Sequence, residues 1–220
     1  MKLSILIPCF NEEKTIKHIL DKVIKNINQD DEIIIIDDFS TDNTRNILKI
    51  QLENYPVKII YNEKNYGKGY SIRQGIKAST GEIILIQDAD LEYDPNDYKK
   101  IINPIKNGVA DIVYGSRFIG SKERRVLFFW HTLGNKFLTL LSNIVTNLNL
   151  TDMEVCYKAF RSEILKDIKL EEDRFGFEPE ITAKIARKKL RIYETGINYF
   201  GRTYEEGKKI TWRDGFRAIY

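Results

Sequence analysis

Residues 32–38 read Glu32-Ile33-Ile34-Ile35-Ile36-Asp37-Asp38, and residues 82–92 read Glu82-Ile83-Ile84-Leu85-Ile86-Gln87-Asp88-Ala89-Asp90-Leu91-Glu92. Each is a short, isoleucine-rich apolar run that stops on acids. Such a run, without polar alternation, suits a strand buried on both faces of a parallel sheet. Leu3 to Pro8 and Val57 to Tyr61 are runs of the same kind. Together with Glu32 to Asp37 and Glu82 to Gln87 they give four strands in the first half. Helix-like segments separate or follow them, at about Glu12 to Asn26, Asp42 to Leu52, Gly69 to Ala78 and Asn96 to Lys106. Thr41 or Asp42 would cap the second of these, and Pro95 suits the first turn of the fourth. The rhythm predicts an α/β fold, with a mostly parallel central sheet, right-handed crossovers and helices on both faces. In such sheets ligands bind at the carboxyl ends of the strands.

The second half is less regular. A strand is expected at Asp111 to Tyr114, a helix at Glu178 to Lys189 and a last strand at Arg191 to Tyr199, with a long apolar, aromatic segment from Val126 to Leu150. No repeat, low-complexity tract or linker divides the chain, so residues 1–220 read as one domain. Its 220 residues are 42% hydrophobic and 30% charged, which excludes disorder, and a net charge of +3 gives no reason to expect a nucleic acid. Cys9 and Cys156 lie far apart without metal-like spacing, as in a reduced cytosolic chain. The opening apolar run is too short for a leader, and no stretch reaches the roughly 20 apolar residues that cross a bilayer.

The functional signal is the position of the acids. Asp37 and Asp38 end the second strand, and Asp88, Asp90 and Glu92 follow the fourth, so both groups fall on the ligand-binding edge. Asp88 and Asp90, with Glu92 in support, offer hard oxygen ligands suited to Mg²⁺ or Mn²⁺, which commonly also bind substrate phosphates. The plainer reading is a set of turn-forming acids. His18 and His131 sit in a surface helix and in the apolar segment, and no Ser-His-Asp or Cys-His arrangement stands out.

Ordered motifs change the balance. Pro8-Cys9-Phe10-Asn11-Glu12 ends the first strand and Asp37-Asp38-Phe39-Ser40-Thr41-Asp42 the second. Asn65-Tyr66-Gly67-Lys68-Gly69 opens the third helix, Asp88-Ala89-Asp90 follows the fourth strand, and Gly115-Ser116-Arg117 follows the fifth. In this order and spacing, about residues 1–120 resemble family 2 glycosyltransferases with the GT-A fold. The resemblance implies a nucleotide-sugar donor, GDP- or UDP-linked. It places Glu12 and Asp37 on the base and ribose, with Asp38 a second candidate. Pro8, Asn11, Gly69, Asp88 and Ala89 would line the donor site. Asp88 and Asp90 match the metal motif, with Glu92 the third candidate ligand. Phe39 departs from the glycine found in many members, which bears on the local backbone.

In about residues 121–220, Arg124, Arg125, Asp152-Met153-Glu154-Val155-Cys156-Tyr157-Lys158, Arg202 and Lys208 look, with Gly115 to Phe118, like polyprenyl-phosphate sugar synthases, the dolichol-phosphate mannose and glucose synthases among them. The stretch from Asp152 to Lys158 lacks the common Thr-Ser-Gly-Phe wording. The resemblance implies inverting hexosyl transfer from a GDP-mannose or UDP-glucose type of donor to dolichyl or undecaprenyl phosphate, on the cytoplasmic face of a membrane. Asp88, Asp90 and Arg117 would be catalytic, and Arg117, Arg125, Arg202 and Lys208 would grip the acceptor phosphate. An acceptor phosphate is already ionised, so it needs cationic forks rather than a strong base. The segment Val126 to Leu150 suits either a membrane interface or a core or dimer-forming helix. Two alternatives stay open: a saccharide hydroxyl acceptor, with Asp152 or Glu154 as base, and a non-catalytic nucleotide-binding module.

Overall fold

A computed structural model describes residues 1–51, 55–120, 125–126, 128–203 and 205–206. Among them, strands β1 (Leu3–Cys9), β2 (Glu32–Asp37), β3 (Val57–Tyr61), β4 (Ile83–Ile86), β5 (Ile112–Ser116), β6 (Lys158–Arg161) and β7 (Ile192–Gly196) form a seven-stranded sheet. The helices are α1 (Ile16–Lys25), α2 (Thr44–Gln51), α3 (Lys68–Ala78), α4 (Tyr98–Lys106), α5 (Phe129–Thr146), α6 (Ser162–Lys166) and α7 (Phe177–Ala186). In β1, Ile5, Leu6 and Ile7 are all fully buried. Successive strand side chains point to opposite faces, so both faces of the sheet are covered. Helix α1 buries Ile16, Ile19, Leu20 and Val23, one stripe of an amphipathic helix.

Strand order is β3-β2-β1-β4-β6-β5-β7. Strands β1 to β4 are mutually parallel and β5 is parallel to β7, as expected, but β6 runs antiparallel between β4 and β5. That strand and α6 are absent from the sequence reading, because Lys158-Ala159-Phe160-Arg161 has only two apolar residues. The other elements fall close to their expected places. Helix α1 starts later, since Glu12 O closes a turn onto Thr15 N and Ile16 N first. Asp42 Oδ1 accepts from Thr44 N at 3.0 Å, and Asp94 caps the 3₁₀ turn Pro95–Asp97.

Parallel register fixes where the acids go. Strands β1 and β2 pair as far as Cys9↔Asp37, whereas β1 and β4 pair only as far as Leu6↔Ile86. Pro8, which has no N–H, lies in the stretch where only β2 still accompanies β1. The strands part there, at the point where the chain order reverses direction across the sheet, the usual place for a ligand. Asp37 and the Asp88-Ala89-Asp90 turn stand on its two sides.

Candidate functional site

After β1 the chain turns through Asn11 at φ 51°, a left-handed conformation that asparagine tolerates. Its N–H donates to Ser40 Oγ at 2.9 Å and its Oδ1 accepts from Thr41 N at 2.7 Å, so Asn11 ties the loops after β1 and β2 together. Glu12 is buried beside it. Its two oxygens accept from Arg202 Nη1 and Nη2, each at 3.3 Å.

Asp37 is closed to solvent at the end of β2, and Arg45 Nε donates to its Oδ2 at 2.5 Å. Arg45 also lies over the rings of Phe39 and Tyr61, at 5.1 and 5.4 Å. Sequence reasoning missed this arginine, which sits on α2 rather than at a strand end. Phe39 takes φ 64°, the backbone conformation that glycine adopts freely, so the fold keeps the family's turn without its glycine. Asp38 does different work. Its Oδ1 accepts from Asn62 Nδ2 at 2.8 Å and Tyr66 N at 3.0 Å, and its Oδ2 from Gly67 N at 2.7 Å. Both oxygens hold the loop leading into α3.

Gly69 is closely approached by backbone. A Cβ there would meet Glu172 O at 2.2 Å, and one at Gly67, where φ is 112°, would meet Asp173 O at 2.5 Å. These glycines admit the 172–174 segment. The lysine between them reaches two acids. Lys68 Nζ lies 3.1 Å from Asp88 Oδ1 and 3.0 Å from Glu178 Oε1 on α7. Cys156 Sγ donates to the same Asp88 oxygen at 2.9 Å. Burial and the Asp88 carboxylate hold the Cys156 thiol well above its ordinary pKa, so it is a donor and not a nucleophile.

Asp90 and Glu92 meet the segment that follows β7. Arg202 Nη2 donates to Asp90 Oδ2 at 2.8 Å. Glu92 Oε2 accepts from Tyr199 OH at 2.9 Å, and Oε1 from Arg202 N at 2.8 Å. Both Glu92 oxygens thus fasten the 199–202 strap. Among the described residues no three His, Cys, Asp or Glu converge as a cation would require, because Asp88 turns to Lys68, and Asp90 and Glu92 turn to Arg202 and the strap. The donor chemistry nonetheless fits a hard divalent ion. Burial, with the Asp88 and Glu92 carboxylates alongside, pushes Asp90 well above the usual carboxylate range against the pull of Arg202. A divalent cation relieves such a cluster.

Arg117, after β5, is gripped by Asp152. Nε and Nη2 each donate at 2.7 Å, one to either carboxylate oxygen, and the backbone N donates at 3.0 Å. The guanidinium also lies 5.2 Å over the Tyr199 ring. Arg202 does not join Arg117 in a separate cluster, as the sequence suggested; it sits on Glu12, Asp90 and Glu92, with Tyr199 between the two. Arg125 is more exposed and binds Gly201 O at 3.1 Å and Glu206 Oε2 at 2.7 Å. Arg124 and Lys208 lie outside the described residues.

Helix α5 answers one open question. Its sole buried residue is Thr139, while Phe129 is 68% and Trp130 76% exposed, and Leu133, Phe137, Leu140 and Ile144 are exposed as well. It is therefore not a core helix. No helix among the described residues is long and apolar enough to cross a membrane.

Residues 4–169 match the sequence model of the family described as Glycosyl transferase family 2. The chain is 28% identical to the dolichol-phosphate mannosyltransferase of Pyrococcus furiosus, over 96% of this chain and 61% of that protein. It is 30% identical to the UDP-N-acetylglucosamine–dolichyl-phosphate N-acetylglucosaminyltransferase of Methanococcus voltae, over 99% and 93% respectively. A dodecaprenyl-phosphate galacturonate synthase of Rhizobium johnstonii is 26% identical, over 94% of this chain and 62% of its own length. The chain thus spans about three fifths of the length of several curated relatives. The crystal structure of glucosyl-3-phosphoglycerate synthase from Mycobacterium tuberculosis, in complex with Mn²⁺, UDP and glucosyl-3-phosphoglycerate, superposes with a TM-score of 0.75 at 19% identity, covering 99% of this chain and 77% of that one. The fold is that of the GT-A glycosyltransferases, and the chain belongs to glycosyl transferase family 2.

Proposed function

From membership of that family we propose that the protein transfers a hexose from a nucleoside-diphosphate sugar to a polyprenyl phosphate, with a divalent cation, at the cytoplasmic surface of a membrane. The observation that carries this reading is the strap. Tyr199 and Arg202 link Glu12, Asp90 and Glu92 to Arg117, so the acids expected on the donor side and the arginine expected on the acceptor side form one connected cluster. The names of relatives that act on dolichyl, dodecaprenyl and undecaprenyl phosphates support the acceptor class.

Glu12, with Asp37 at the neighbouring strand end, would hold the nucleoside. A cation on Asp90, with Asp88, would supply charge neutralisation to the leaving diphosphate. Arg202, exchanged from Asp90, would then serve phosphate oxygens. Arg117, oriented by Asp152, presents its remaining donors to the acceptor phosphate, and Arg125 supports the strap. An ionised phosphate oxygen attacks the anomeric carbon directly with inversion, so positioning and electrostatics provide most of the rate. Asp152 is poorly suited to deprotonate a saccharide hydroxyl, since both its oxygens are engaged by Arg117. The exposed apolar side of α5, a helix without an acidic residue, would rest in the headgroup region.

The test is donor binding. Thermal unfolding with Mn²⁺ and a panel of UDP- and GDP-sugars should show saturable stabilisation by one donor class, about 2.7 kcal/mol at 100 times its Kd. That stabilisation should vanish in excess chelator and in Asp90→Asn. Stabilisation by no nucleotide-sugar would overturn the reading.

A further inference from the structure

Among the described residues, two buried carboxylate oxygens, Glu154 Oε1 and Glu178 Oε2, have no hydrogen-bond partner. They belong to neighbouring side chains: burial and the Glu178 carboxylate are the leading causes that raise the Glu154 carboxyl to about 7, against Lys158 and Arg117, which lower it. Lys158 does not satisfy either acid, because its Nζ donates to Met153 O and Val155 O. Unpaired buried acceptors are costly, about 1–3 kcal/mol each, and call for a compensating group: a ligand donor, a water, an ion or a proton.

Their place in the molecule identifies the partner. Glu178 is 3% exposed, and its other oxygen is tied through Lys68 to Asp88, the donor-side acid. Glu154 is part-exposed and follows Asp152, which holds the acceptor-side Arg117. The two acids therefore lie in the interval between the donor edge and the acceptor arginine. On the functional reading above, on which this inference rests, the transferred sugar must occupy that interval. Its anomeric carbon lies between the leaving diphosphate and the attacking phosphate. A hexose ring brings hydroxyl donors, and hydroxyl-to-carboxylate bonds are short and strong.

We propose that Glu154 and Glu178 form the seat for the hydroxyls of the transferred hexose and set which sugar is accepted. Glu154 receives a hydroxyl from the open side, and Glu178 backs it from α7. A sugar whose hydroxyl points elsewhere leaves a buried acceptor unpaired, the arrangement that discriminates most strongly between substrates. A proton shared between the two carboxyls is the competing account, and it gives the pair no role in choosing a sugar.

The experiment compares wild type with Glu154→Gln and with Glu154→Gln/Glu178→Gln by calorimetry in Mn²⁺, using UDP, GDP, UDP-glucose, UDP-galactose and GDP-mannose. The amide variants keep the side-chain shape, and folding is verified by thermal unfolding. Glu154→Gln should weaken the preferred nucleotide-sugar about 10- to 100-fold, shrink the preference between epimers, and leave the free nucleoside diphosphate unchanged. Equal weakening of nucleotide and nucleotide-sugar, or no change in either, overturns the inference. Should wild type bind nucleotides but treat all the sugars alike, the seat is refuted while the donor reading stands. Should it bind no nucleotide at all, the functional reading fails and the inference with it.

Discussion

Replacing Arg117 by alanine tests how the acceptor side is built. Asp152 is fully closed to solvent and accepts three hydrogen bonds, all from Arg117. Removing one partner of a buried ion pair typically costs 3–5 kcal/mol, because the other charge is left in a poor medium. The backbone N–H of residue 117 survives the substitution, so the lower end applies, about 3 kcal/mol. For a domain of this size that corresponds to roughly 6–12 °C in Tm. Urea or thermal unfolding of Arg117→Ala, Asp152→Asn and the double variant completes a cycle. The double variant should recover much of the loss, because it no longer strands a charge. A loss under about 1 kcal/mol in Arg117→Ala, or a double variant no better than the sum of the singles, would refute the reasoning. Turnover must then be compared per folded molecule, where Arg117→Ala should still lower transfer to the lipid at least tenfold with donor affinity nearly unchanged.

Arg202→Gln should bind Mn²⁺ alone about tenfold more tightly, since the ion no longer competes with a guanidinium on Asp90, while transfer falls; calorimetry that finds weaker binding would place the cation elsewhere. Glu154 moves from 4.5 to about 7 on folding, so between those values the native state holds a proton that the unfolded chain has lost. Its stabilising contribution is full below pH 4.5 and fades as pH rises to 7, by at most about 3 kcal/mol. Denaturation at pH 5 and pH 8 should show wild type losing stability relative to Glu154→Gln, and parallel profiles would contradict the shift. Replacing Phe129, Trp130 and Phe137 by serine should abolish co-sedimentation with anionic vesicles at unchanged Tm, because these side chains are exposed. A fall in Tm, or a switch from dimer to monomer with vesicle binding intact, would make α5 a protein interface instead.

Much of this architecture is legible in the residues. The isoleucine runs of β2 and β4 can only be buried on both faces, and their parallel register carries Asp37 and Asp88 to one edge. What stayed hidden is which acids are free. Asp37, Asp38, Asp88, Asp90 and Glu92 look alike in one dimension. Asp38 is spent on the backbone N–H groups of Tyr66 and Gly67, beyond β3, and Glu92 on a strap more than a hundred residues later, contacts that no local pattern encodes. Arg45 and Lys68 escaped for the same reason, as helix cations whose partners lie on other elements. The glycines around Lys68 suggested a ligand because close backbone approach looks the same from sequence whether the visitor is a phosphate or the 172–174 segment.

The most direct test of the central claim is transfer itself. Purified protein, Mn²⁺ and the donor selected by binding are incubated with undecaprenyl or dolichyl phosphate and, separately, with free saccharides, and labelled sugar is counted in the organic and aqueous phases. The account requires label in the lipid product, dependent on Asp90 and lost in chelator, with none on the free sugars. Label transferred to a saccharide but never to the lipid would contradict it.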